Sequence, residues 1–213
     1  AWNAGNQDAP YLEMAEEFEH VDGTAGTLNR TAIQQGVWST ADLWANKDPR
    51  FYATIYTQNT PWKGAAVDFH KGLSLPDGSI LNNGSYQNVP ARGTQFVDNS
   101  FGTGFGVMKY LEETKDNMGE RATSGTDWLV IRYAEVLLNY AEAAFELGKA
   151  ADALDAINQL RKRAGIAVIN TIDREKIRHE RKVELAFEGH RYWDVRRWRT
   201  AIDVLTVNRS GLR

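Results

Sequence analysis

The stretch ERKVELAFEGHRYWDVRRW, residues 180–198, crowds acids, arginines, aromatics and one glycine into nineteen positions. Three readings compete for it: a catalytic carboxylate pair, a nucleic-acid clamp, or a polar junction between helices. Asp173 can cap a helix running through Ile177, and Glu180, Glu184 and Glu188 then recur every four residues along one side. Bare carboxylates in such a row repel one another. Arginine relieves that repulsion because its planar fork bonds a carboxylate through two N–H groups at once. Arg181, Arg191, Arg196 and Arg197 lie in the same run, and Arg132, Arg161 and Arg163 shortly before it. The stretch therefore reads as a partly buried ion-pair lock built from Glu180, Arg181, Glu184, Glu188, Arg191 and Asp194. Gly189 breaks the helix, so that HRYWDVRRW turns back with Tyr192, Trp193 and Trp198 covering the hairpin.

The enzymatic alternative is a glycoside hydrolase using Glu184 or Glu188 with Asp194, since two carboxylates flanking a glycosidic bond can cleave it. Neighbours on one helix, however, do not face each other across a substrate. A nucleic-acid partner is disfavoured by the acids inside the run and by a net charge of −3.

Outward from this stretch the chain falls into two halves. All five prolines and fourteen of the eighteen glycines lie in residues 1–127, a loop-rich segment of short helices and strands. A helix is expected near Tyr11–His20, and the alternation in RFYATIYTQ (50–58) suggests a strand. Residues 128–213 read as helical. Leu129, Tyr133, Val136, Leu137, Tyr140, Ala144 and Leu147 form one broad apolar face, taken as the inward one. Gly148 ends that helix; a second runs to Ala164 with Leu154, Ile157, Leu160 and Ala164 inward, and Gly165 ends it. The result is a tetratricopeptide-like hairpin over 128–164, followed by a broken helix over 173–199. A single such unit cannot bury its own face and calls for neighbours of its kind, as in a solenoid. The fold class is mostly α, with a helical hairpin beside a loop-rich irregular segment, in one domain fragment of a larger chain.

Several chemistries are excluded. Cysteine is absent, which removes disulfides, thiolate metal sites and cysteine nucleophiles. Val183 stands where an HExxH motif beginning at His179 needs its second histidine, and no other metal-ligand spacing appears. GTGFGVMK (102–109) matches neither dinucleotide nor P-loop glycine patterns, and no Gly-x-Ser-x-Gly elbow occurs. Neither cofactor nor metal is expected. The most apolar long stretch, 128–147, carries four charges and is no membrane span. The chain opens on AWNAGNQ without methionine, as expected of a mature protein or an excised piece.

A surplus of aromatics in the loop-rich half suggests sugar binding, because flat rings stack on the apolar face of a pyranose while amides bond its hydroxyls. Trp62, in a Pro-Trp-Lys-Gly turn, and Tyr86, after Asn-Asn-Gly-Ser, are the chosen platforms. Asn82 and Asn83 are the hydroxyl partners, and Trp38 is a further candidate ring. Trp128, Trp193 and Trp198 belong instead to the helical junction and should be core.

Five ordered blocks carry a wider resemblance. IRYAEVLLNYAEAAFELG (131–148), AINQLRKRAGI (156–166) and the stretch at 180–198 resemble the C-terminal signature of the SusD/RagB family. NKDPRFYATIYTQNTPWKG (46–64) and TGFGVMKYLEE (103–113) resemble two further family blocks in the expected order. The resemblance implies a lipid-anchored, surface-exposed outer-membrane protein of Gram-negative bacteria. Such a protein binds oligosaccharides or polysaccharides without catalysis and caps a SusC-like TonB-dependent transporter in nutrient uptake. Family members usually begin with a signal peptide, a lipidated cysteine and a half of helical repeats, and end in a block like PIP…QNPGY. This chain shows neither end, so the membrane contact would run through an anchor outside it. A helical-repeat scaffold for protein interactions is the remaining alternative.

Overall fold

A computed structural model describes residues 9–35, 40–62, 65–68, 72–74, 80–82, 94–96, 103–112 and 126–211. The fold is mostly α, and the chain forms two compact units. One comprises residues 13–54 and 128–208; the other comprises 1–12, 55–127 and 209–213.

In the larger unit, α5 (Tyr133–Glu146) and α6 (Ala150–Ala164) form the expected hairpin. Gly148 adopts φ +75°, and the Lys149 N–H reaches back to the Ala144 carbonyl at 2.8 Å, the bond that closes a left-handed helix stop. Gly165 repeats the device at φ +79°, with the Ile166 N–H on the Arg161 carbonyl. Asn158 then pins the following connection by exchanging two 2.9 Å bonds with the backbone of Ile169. Asp173 caps α7 (Arg174–Glu184), its carboxylate accepting from the Lys176 N–H at 2.8 Å. The core between these helices consists of Leu138, Ile157, Leu160, Ile177 and Leu185, with alanines at 134, 141, 144, 153 and 156 letting the helices approach closely.

Several expectations are corrected here. Helix α5 turns Ala134, Leu138, Ala141 and Ala144 inward, while Tyr133, Val136, Tyr140 and Leu147 stay exposed. The helix has two apolar stripes, and periodicity alone does not say which one meets α6. Helix α7 ends before Gly189: Leu185 is its C-cap and Phe187 takes φ +62°. Glu188 therefore leaves the helical row and arrives from a turn. Short helices α8 (Arg191–Arg197) and α9 (Ala201–Leu205) follow. Trp128 and Trp193 are exposed, Trp193 by 67 %, and Tyr192 is half exposed. Trp198 is half-buried, not core: its indole N–H donates to Glu142 at 2.9 Å, with Arg178, Arg191 and Arg197 over the ring.

The N-terminal part of this unit holds all but the first residue of α1 (Leu12–Glu17), together with α2 (Arg30–Gln34), α3 (Thr40–Trp44) and α4 (Pro49–Thr54). The expected helix at 11–20 is thus shorter, and the expected strand at 50–58 is largely helix α4. The proline at its first turn suits a helix start, and only Ile55–Tyr56 remain extended. Phe51 anchors the region, stacked on Trp44 at 5.0 Å and edge-on to Phe18 at 5.7 Å. Beside it Lys47 is wholly buried and donates to three main-chain carbonyls: Ala15 at 3.2 Å, Phe18 at 2.8 Å and Gly26 at 2.5 Å. Two of these are orphan acceptors at the end of α1, which the ammonium caps. Burial pulls the Lys47 pKa down to about 8 against the opposing charges of Glu16 and Asp48.

The smaller unit carries the strands: β1 (Ile55–Tyr56), β2 (Pro61–Trp62), β3 (Ala65–Asp68), β4 (Gly72–Ser74), β5 (Ile80–Asn82), β6 (Thr94–Phe96) and β7 (Gly106–Val107). β1 pairs antiparallel with β7, and β4 with β5; β3 pairs antiparallel with β2 and parallel with β6. No helix among the described residues is long and apolar enough to cross a membrane.

The carbonyl cradle makes a sharp demand on Gly26. A methyl group there would sit 1.8 Å from the Phe18 oxygen and 2.4 Å from the Lys47 ammonium. Gly26→Ala is expected to lower stability by about 3 kcal/mol, because the obstacle is backbone. Gly148→Ala, in open space at φ +75°, should lose only the ~1 kcal/mol of left-handed strain. Urea unfolding of both variants tests the contrast; equal losses would show that the cradle is not tight.

Candidate functional site

Glu180 and Glu184 occupy the buried face of α7, where an unpaired carboxylate would be strongly disfavoured. Each is met by arginines. The Glu180 carboxylate accepts from Arg50 at 2.5 Å and from Arg161 at 3.1 Å. Glu184 accepts from three guanidiniums: Arg132 at 2.5 Å, Arg163 at 2.6 Å and Arg50 at 2.9 Å. Arg132 continues to Glu188 through paired bonds of 2.7 and 2.8 Å and to the Glu184 carbonyl at 2.7 Å. Arg161 continues to Glu19 at 2.6 Å and donates its Nε–H to the Ala167 carbonyl. Arg50 is also forked onto Asp48.

The pairs form one alternating line, Glu19–Arg161–Glu180–Arg50–Glu184–Arg132–Glu188, with Asp48 and Arg163 as branches. It draws on the exit of α1, on α4, on the residue preceding α5, and on α6, α7 and the turn after α7. Burial raises the cost of every charge in it, and the neighbouring opposite charges offset that cost. Burial pushes the Glu184 pKa up, yet the hydrogen bonds and charges of Arg132 and Arg50 bring it down to about 2. Arg50 and Arg132 are disfavoured by burial but held above the ordinary arginine value, Arg50 by Glu180 and Asp48 and Arg132 by Glu188 and Glu184.

The other lock residues go elsewhere. Arg181 pairs with Asp194 at 2.7 Å and with Asn139 at 2.9 Å, a separate buried bridge between α7, α8 and α5. Arg191 lies over the Trp198 ring, 5.8 Å from its centroid. Arg196 meets the Tyr192 hydroxyl, and Arg197 meets Glu142. Arg50 was missed from the sequence: it stands 130 residues from Glu180, and its only local signal is Asp48 two positions before it.

The expected sugar platform at Trp62 is corrected. Trp62 is only 7 % exposed and packs in a cluster with Tyr56 and Val67, flanked by Met108 and Leu111. A turn composition marks where the chain reverses; it does not reveal what folds over the ring. Burial of the same cluster raises the Tyr56 phenol's pKa. Asn82 ends β5, while Trp38, Asn83 and Tyr86 lie outside the described residues. Among the described residues no cluster of three or more histidine or acidic side chains could hold a metal ion.

Removing the centre of the line should be costly. Glu184→Ala leaves three guanidiniums short of a partner and is expected to lower the unfolding free energy on the order of 3 kcal/mol. The pH dependence follows from the depressed pKa. Between the ordinary carboxylate value of 4.5 and about 2 the unfolded chain binds the proton that folded Glu184 refuses. Stability from this group is therefore complete above about pH 6 and declines as pH falls through 4.5 towards 2. Urea midpoints between pH 7 and pH 2.5 should show that decline in the parent and a shallower one in Glu184→Gln. Identical slopes would remove Glu184 from the account.

The SusD family model matches residues 1–211. SusD-like protein P38 of Formosa agariphila is 30 % identical over 133 residues, covering 56 % of this chain and 24 % of its own length. SusD-like protein P25 of the same organism is 34 % identical over 129 residues, again 24 % of its length. The chain superposes on the crystal structure of a SusD-like carbohydrate-binding protein of Bacteroides fragilis with a TM-score of 0.69 and 29 % identity, over 95 % of this chain and 37 % of that one. A second SusD-like protein of Bacteroides fragilis gives 0.68 and 32 %, over 92 % and 36 %. The chain thus spans about a quarter of the sequence relatives it matches and little more than a third of the solved ones. By the reach of the family model and the shared fold, the chain belongs to the SusD family.

Proposed function

We propose that this chain is part of a non-catalytic glycan-binding protein that delivers oligosaccharides to a SusC-like TonB-dependent transporter at the outer membrane. In this reading it is held at the cell surface by a lipid anchor outside the chain. The observation that carries the reading is the similarity to the SusD-like carbohydrate-binding protein, 29 % identical across 95 % of this chain.

The chemistry of the carboxylates supports binding without hydrolysis. A glycosidase needs one carboxyl group with a raised pKa to protonate the leaving oxygen and a second one free to attack or activate water. Glu184 is held near 2 and is saturated with guanidiniums. Glu188 is occupied by Arg132, and Asp194 by Arg181. All three are buried. None is placed to give up or take a proton from a sugar.

With Trp62 packed in a core, the proposed sugar contact rests on Tyr86 and Trp38, with Asn82 and Asn83 bonding hydroxyls. Affinity electrophoresis of the native protein on a polysaccharide panel should show retardation by at least one polymer, with no reducing ends released. Tyr86→Ala or Trp38→Ala should then weaken calorimetric affinity for that polymer by about 1 kcal/mol or more, a fivefold change. Release of reducing sugar would contradict the non-catalytic reading. Unchanged affinity in both variants with the fold intact would place the contact elsewhere.

A further inference from the structure

Helix α8 is bolted down along one side and bare along the other. Asp194 is buried against Arg181, Val195 is fully buried, and Trp198, just past the helix, donates its indole N–H to Glu142. Arg197 forks onto the same Glu142 carboxylate. The outward side carries Tyr192, Trp193 and Arg196, all exposed. Trp193 is the most exposed tryptophan among the described residues.

These three side chains are ordered with respect to one another. The Tyr192 and Trp193 rings stand at 79° with their centroids 5.2 Å apart, forming a corner. Arg196 lies over the Tyr192 ring, 5.2 Å from its centroid, and donates to the Tyr192 hydroxyl at 2.6 Å. That bond uses one guanidinium N–H and leaves the others, and no acid pairs with Arg196 among the described residues. The local charge also runs against the sign of the chain. Residues 190–202 hold four arginines and one aspartate, while the whole chain carries −3. The acids of this run that would repel a polyanion, Glu180, Glu184, Glu188 and Asp194, are buried and paired with arginines.

Such a surface selects a class of ligand. Flat rings offer an apolar face to a pyranose, and rings mounted on a fixed helix lose little freedom on binding. A guanidinium without a protein acid matches a carboxylate or a sulfate ester through paired N–H bonds. A neutral sugar would use the rings and leave the guanidinium unmatched. We propose that Tyr192, Trp193 and Arg196 form a contact for anionic polysaccharide, whose pyranose units carry carboxylate or sulfate groups. Resting on the glycan-binding reading, this contact narrows the ligand class to acidic polymers.

Polymers that differ mainly in charge provide the test. Calorimetric titration of the whole protein, as its gene encodes it, compares dextran sulfate with dextran and polygalacturonate with its methyl ester. At least one polyanion should bind about tenfold more tightly than its neutral partner, and which one does so separates sulfate from carboxylate. Trp193→Ala and Arg196→Gln should each weaken that binding about fivefold or more, and Trp193→Phe should retain most of it. Arg30→Gln, on exposed α2, reports general attraction to polyanions and should change nothing. Both altered side chains face water, so each variant should keep the circular dichroism and urea midpoint of the parent. Equal affinity for charged and neutral polymers would overturn the proposal and leave glycan binding standing, whereas no binding of any polymer would count against both. Unchanged affinity in Trp193→Ala and Arg196→Gln would also overturn it. So would an equal loss in Arg30→Gln, which would show diffuse attraction, or tighter binding of single-stranded DNA than of either polyanion.

Discussion

Arg50 reaches from a short helix near the chain start to two carboxylates on α7, and most of the larger unit's architecture follows from satisfying that contact. A guanidinium 12 % exposed between Glu180 and Glu184 cannot be left unpaired, nor can they. Once α7 presents two buried acids, the segments bearing Arg50, Arg132, Arg161 and Arg163 must converge on it. These positions are scattered over more than a hundred residues. The line of charges therefore acts as an address: it specifies which segments meet, beyond what apolar packing of an alanine-rich hairpin could specify. A buried ionic lattice contributes little net stability over a well-packed apolar core of the same shape. Its effect is to make misdocked arrangements expensive, because each would strand a charge.

The same bookkeeping of protons separates scaffold from chemistry in this fold. Every acid that looked catalytic in the sequence is engaged by an arginine and buried, and the one with the clearest shift is driven away from the range in which it could donate a proton. The run at 180–198 thus looks dense in function because it is dense in charge. Its buried charges are spent on geometry. Lys47 makes the same point with an ammonium: its three hydrogen bonds close the end of α1 against the loop at Gly26, with no ligand or substrate required.

The helical hairpin and its stops were legible in the sequence because a glycine that must adopt positive φ and an Asp cap are local requirements. Gly148, Gly165 and Asp173 each occupy the position their chemistry demands. The arginine pairing of Glu180 and Glu184 was legible for the same reason, since a row of carboxylates needs counter-charges. What could not be read were choices settled by distant residues. The inward stripe of α5 was misassigned because the helix carries two apolar stripes and periodicity cannot rank them. Arg50 was invisible because nothing around it names a partner 130 residues away. Trp62 was read as exposed from its turn, yet its ring is covered by residues from two strands, and Trp193 was read as buried from its helix, yet it faces water. Tyr86, Asn83 and Trp38 lie outside the described residues.

The central claim is that Arg50 and α7 recognise each other across the chain. A double-mutant cycle between Arg50→Met and Glu180→Gln, read by urea unfolding at pH 7, measures that recognition directly. The account predicts a coupling of about 2 kcal/mol or more between the two changes, with the double variant more stable than the sum of the single losses implies. Additive losses, with a coupling below about 0.5 kcal/mol, would mean that the two side chains are neighbours without being partners, and the account would fail.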